Sequence, residues 1–165
     1  MGCLGLLYAL TAEEVTKWKS FTNGVGLVEY LYNDFEQHEF GGDWCAETNE
    51  AWDAIHRCFA GGTLGVTAKD YPLNCVILGG ETLKTTNDFI ISLKSPQLVQ
   101  DIADRIRTVT KEDMKTRYWA LDPDDYGMEL NANDEGFTCE YFHGLIDFYK
   151  RAAHSKRWVA FTVSQ

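Results

Sequence analysis

Apolar runs of strand length stand at both ends of the chain and in its middle, with helical patterns between them. Residues 3–10 form the first run, residues 75–78 and 88–93 the middle pair, and residues 158–163 the last. The last run alternates Val159, Phe161 and Val163 against Ala160, Thr162 and Ser164, a period of two that marks a strand. Strands so distant in sequence pair only if the chain returns on itself, and the helices between them must then cover the sheet. This order predicts a single α+β domain over residues 1–165. The terminal strands join one sheet of about four strands, mixed or antiparallel, packed by several helices. Residues 75–78, a continuous apolar run before Gly79-Gly80, read as a central strand. Residues 88–93 read as its neighbour, reached through a hairpin-like connection.

The helices announce their own ends. Thr11 and Glu14 have capping-box spacing and open a helix to about Ser20. Leu27, Val28, Leu31 and Phe35 fall at helical spacing until Gly41-Gly42 interrupts. A helix from about Asn49 to Ala60 carries Ala51, Trp52, Ile55, Cys58 and Phe59 as its apolar stripe and stops at Gly61-Gly62. Asp53 and Arg57 lie opposite that stripe and read as a solvated pair. Ser95-Pro96 starts a helix with Leu98, Val99, Ile102, Ile106 and Val109 inward, and Thr110 and Asp113 cap another. Residues 131–136 are polar and read as a loop. Residues 137–153 hold the strongest helical pattern.

Charge supplies the functional clue. The 165 residues carry a formal charge of −10, which argues against a nucleic-acid binder, because phosphate contact needs clustered Lys and Arg. The excess is blocked. Residues 20–56 contain eight acids and no Lys or Arg, and residues 118–149 contain another eight with none. Aromatic residues interleave with the first block. Glu36, Glu39, Asp43 and Trp44, with Asp122, Asp124 and Asp125, are the candidate partner-binding residues. The pattern reads either as a surface that steers and docks a basic protein or as a solvated face that keeps the chain dispersed.

Chemical motifs are weak by comparison. Cys139 and His143 share a helix face without an evident third metal ligand. The Asp122-Pro-Asp-Asp125 stretch starts like a calcium loop and fails at Tyr126 and Asn133. No metal and no cofactor is expected, and no catalytic residue is assigned. His56 sits at the boundary of its helix's apolar face, where a histidine either reaches a pocket or satisfies a nearby carbonyl. Trp52, His56, Gly79, Gly80 and Glu81 are therefore the pocket candidates. Five widely spaced cysteines with no C-x-x-C suggest reduced thiols. No secretion signal and no apolar run near the ~20 residues of a membrane span is visible. The expected location is the cytoplasm.

Several stretches together resemble the YfbM-like family of small bacterial proteins. They are the Met1-Gly-Cys-Leu-Gly5 start, Glu50-Ala-Trp-Asp-Ala-Ile-His56 followed by Gly61, and Pro72-Leu73 ahead of Val76-Ile-Leu-Gly-Gly80. Phe148-Tyr-Lys-Arg-Ala-Ala153 before the terminal strand completes the series. Asn49 and Glu50 stand where the family pattern reads Asp-Lys. The resemblance implies a compact α+β fold with no assigned reaction. Acidic blocks without a catalytic motif point to a non-catalytic protein-binding module of immunity or antitoxin type, occluding a basic partner such as a toxin or effector enzyme. The alternative is a small-molecule binder or enzyme with a pocket near His56 and the Gly79-Gly80 turn.

Overall fold

Alternation along the two end strands decides the architecture. In the computed structural model, which describes residues 3–66, 69–83 and 86–164, β1 (Gly5–Leu10) and β5 (Trp158–Ser164) lie side by side and antiparallel. Leu7, Ala9, Val159, Phe161 and Val163 point to one face, and Tyr8, Leu10 and Ala160 to the other. Both faces are buried, so the sheet is covered on both sides. β2 (Cys45–Asn49) flanks β1, while β4 (Phe89–Lys94) and β3 (Glu81–Thr82) continue beyond β5. The order is β2-β1-β5-β4-β3, antiparallel throughout.

The smaller core holds α1 (Ala12–Ser20), α2 (Gly24–Tyr30), a π-helical turn (Leu31–Phe35) and α3 (Glu36–Glu39). Trp18 and Tyr8 meet the Phe35 ring edge-on at 5.0 and 5.1 Å, a preferred aromatic geometry. The larger core holds α4 (Trp52–Phe59), α5 (Pro96–Ile106), α6 (Lys111–Trp119) and α8 (Ala132–His154). The short α7 (Pro123–Tyr126) links α6 to α8. Capping follows the sequence closely: Thr11–Glu14 and Thr110–Asp113 both form complete capping boxes.

Four expectations need correction. The sheet has five strands, not about four, because β2 is an edge strand of mixed polarity with no apolar run to announce it. Residues 75–78 are not a strand. A 3₁₀ turn (Leu73–Cys75) and a further turn bury Val76 and Ile77 instead. A short apolar run is ambiguous between strand and buried turn, and here Pro72 before it and Gly79-Gly80 after it favoured the turn. Residues 131–136 are not a loop. Asn131 accepts the amides of Asn133 and Asp134 and caps α8, so the polar stretch is that helix's first turn. Asp53 and Arg57 are not solvated: Arg57 is 7% exposed.

Candidate functional site

The π-helical turn sets the site. It carries the chain from α2 into α3 with Phe35 locked in the smaller core. Tyr32, Glu36 and Phe40 then fall four residues apart on one outward face. Opposite them lie Cys3, Leu4 and Leu6 from the start of β1, Phe89 of β4, and Thr162, Val163 and Ser164 of β5. The two walls enclose a groove of about 450 Å³. Leu4 is 59% exposed, Phe40 57% and Tyr32 42%, and Tyr32 rests edge-on against Phe89 at 5.6 Å. Large apolar side chains left open together mark a surface built for contact.

Among the described residues Glu36 is the one carboxylate that lines the groove. Among the described residues it makes no ion pair, and partial burial raises its pKa above the usual carboxylate value. Behind it the Tyr8 hydroxyl is buried. Burial first, then Glu36, pushes that phenol far above its ordinary range.

The other sequence candidates scatter. Glu39 shares α3 with Glu36. Asp43 is exposed, and its carbonyl accepts Arg151 Nη2 at 3.1 Å. Trp44 faces mostly bases: the Arg157 guanidinium lies 3.7 Å from its ring centre, and Lys150, Arg151 and His154 share its cleft with Asp147. Asp122 caps α7 through Oδ1, Asp125 pairs with Arg57 at 2.7 Å, and Asp124 is exposed. Tyr126 of α7 holds Asp134 while the Asp43 carbonyl holds Arg151, near opposite ends of α8. At the α-helical rise these anchors are about 25 Å apart. Asp43 and Asp134 therefore lie apart, while Asp53 of the first block and Asp125 of the second meet at Arg57.

The pocket candidates converge on packing. His56 is 1% exposed. Its Nε2 contacts the Gly65 carbonyl at 3.2 Å, and among the described residues its Nδ1 has no hydrogen-bond partner. Trp52 is buried and donates Nε1–H to the Cys3 carbonyl at 2.9 Å, its edge reaching a shallow cleft of about 280 Å³. A Cβ on Gly79 would lie 2.4 Å from Cys75 Cα. Gly80 has φ +87° and sits on the Leu93 carbonyl. Close approach, not ligand binding, accounts for both glycines. Glu81 is exposed and pairs with Lys19 at 2.6 Å.

Sequence reading missed Lys94. It is fully buried on the larger-core face of β4. Its Nζ donates to the Ile77 carbonyl and to Ser92 Oγ, the latter at 2.6 Å. Among the described residues no carboxylate pairs with it. Burial pulls its pKa down to about 7. His56 is lowered as well, by burial first and with a smaller contribution from Lys94, against the Gly65 and Leu64 carbonyls. Tyr149 O–H donates to the Val76 carbonyl at 2.6 Å. The signal was available: alternation along β4 puts Phe89, Ile91 and Leu93 on one face, leaving Lys94 with Ile90 and Ser92 on the other.

Among the described residues no group of three His, Cys, Asp or Glu side chains could hold a metal ion, and no helix is long and apolar enough to cross a membrane.

Comparison with known proteins adds two findings. A family model described as a domain of unknown function, DUF1877, matches residues 1–162. The crystal structure of YfbM from Escherichia coli, a protein of unknown function, superposes with a TM-score of 0.64 at 18% identity. The match covers 97% of this chain and 99% of that one, a likeness of fold alone. No curated protein matches the chain.

Proposed function

The chain belongs to the DUF1877 family, whose function is unknown, and from that premise we propose that it is a non-catalytic protein-binding module of immunity or antitoxin type. It occludes a basic partner at the Tyr32–Glu36–Phe40 groove. One observation carries the reading: three exposed apolar side chains surround a half-buried carboxylate that, among the described residues, no base neutralises. A Lys or Arg of the partner lays its aliphatic stem along Leu4, Tyr32 and Phe40 and sets its charge on Glu36. The Tyr32 and Phe40 rings add cation–π attraction. The base-free stretch from residue 20 to 56 steers the approach, raising association rate more than final affinity.

Native capture tests this, comparing the wild type with a Glu36→Lys/Phe40→Asp variant. The expected result is a basic protein held by the wild type, released by salt and absent from the variant. Capture of the same protein by both forms, or of none by the wild type, refutes the reading.

A further inference from the structure

The largest cleft described lies on the opposite side of the molecule. It runs between the α5–α6 junction and α8, with a volume of about 890 Å³, within the size range of small-molecule sites. Its floor is apolar: Val109, Met114, Cys139, Phe142 and Ile146. Burial raises the Cys139 pKa above its ordinary value, so that thiol belongs to the floor as a small apolar group and not as a nucleophile.

The walls differ in charge. Arg107 and Lys111 stand on the α5–α6 side, both exposed, and among the described residues neither pairs with a carboxylate. Lys115, beside them, is only 3.9 and 4.0 Å from Glu112 and Glu135. On the α8 side Glu135 is engaged by Trp119 Nε1–H at 2.9 Å, and Glu140 is exposed.

A second observation concerns Gly136 on the α8 wall. A Cβ there would meet nothing within 4 Å. Glycine is unfavourable inside a helix, and no steric demand calls for it here. Its effect is to leave the cleft open.

We propose that this cleft binds an amphipathic anion: an unbranched alkyl chain on the Val109–Met114–Phe142–Ile146 floor, with a carboxylate or phosphate head against Arg107 and Lys111. The site is independent of the partner groove and stands or falls separately from it.

Titrations of the full chain followed by amide NMR provide the test. Decanoate and decyl phosphate are the probes, with decanol and inorganic phosphate as controls. Either amphiphile should shift amides of residues 107–115 and 135–146 saturably, and the tighter of the two identifies the head group. Decanol and inorganic phosphate should each bind at least about tenfold more weakly. Arg107→Glu/Lys111→Glu should weaken binding about tenfold or more. Gly136→Leu, which fills the cleft, should abolish it. Shifts absent or spread over the whole surface overturn the proposal. So does decanol or inorganic phosphate matching the amphiphiles, or a charge-reversed variant that binds as tightly as the wild type.

Discussion

Two buried cations lie close to the same helix and are accommodated in opposite ways. Arg57 of α4 is held by acids: Nε meets Asp53 at 2.5 Å, Nη1 meets Asp125 at 2.7 Å, and Nη1 also donates to the Gly62 carbonyl at 3.1 Å. Lys94, facing the adjacent His56 side of the larger core, has carbonyls and a hydroxyl but no acid. A guanidinium cannot lose its proton in a protein, so its burial requires carboxylates. An ammonium can, and burial with no carboxylate drives it to do so. The difference teaches that the acidic excess is not used wherever a cation is buried. One site is charged and clamped, and the other titrates near pH 7 and is merely hydrogen-bonded.

The largest effect is expected on the clamped side. Arg57→Met should lower unfolding free energy by about 3 kcal/mol, because it strands Asp53 against the protein. Urea titration measures it, and a wild-type midpoint would reduce the clamp to an ordinary surface pair.

Lys94→Met should behave differently, through pH. The folded Lys94 titrates near pH 7 and the unfolded one near its ordinary ~10.4. Between those values the unfolded chain binds the extra proton, so wild-type stability climbs with pH. Below about pH 7 both states are protonated, and the cost of the buried charge is fully present. Relative to Lys94→Met, the wild type should gain up to about 1.4 kcal/mol per pH unit above pH 7. A flat difference between pH 7 and 10 would show that Lys94 keeps its proton when folded.

Smaller effects sharpen the contrast. Asp125→Asn should cost about 1 kcal/mol, since its carboxylate is the more exposed of the two and Asp53 keeps its bond to Arg57. Glu36→Gln should change stability by about 0.5 kcal/mol or less at pH 7. Among the described residues its carboxylate has no ion-pair partner to lose, so a loss of several kcal/mol would reveal a hidden one.

Much of the fold was readable because several signals agreed locally. Thr11 and Thr110 announced their helices through capping chemistry, and the alternation from Val159 to Val163 announced β5. Failures came where one signal stood alone. Residues 75–78 showed hydrophobicity without period. β2 showed neither, because an edge strand with Glu47 outward need not be apolar. The site was harder. Glu36 was named for its charge, and aromatic residues were seen to interleave with its acidic block, but Leu4, Phe89 and Val163 join Glu36, Tyr32 and Phe40 only through the sheet. Arg57 passed for a surface residue because its second acid is distant in sequence. Lys94 escaped because a lysine at the end of an apolar strand reads as its boundary.

The position of β5 governs how the molecule is made. It follows every other strand in the chain, yet it lies between β1 and β4 and hydrogen-bonds to both. A ribosome must release residue 158 and those after it before the two halves of the sheet can be joined. Until then a nascent chain offers the β1–β2 ladder and the β4–β3 ladder with an unpaired edge between them, where other chains can bind. Long-range closure of this kind is slow. The sheet is therefore completed only after the last segment of the chain has been made.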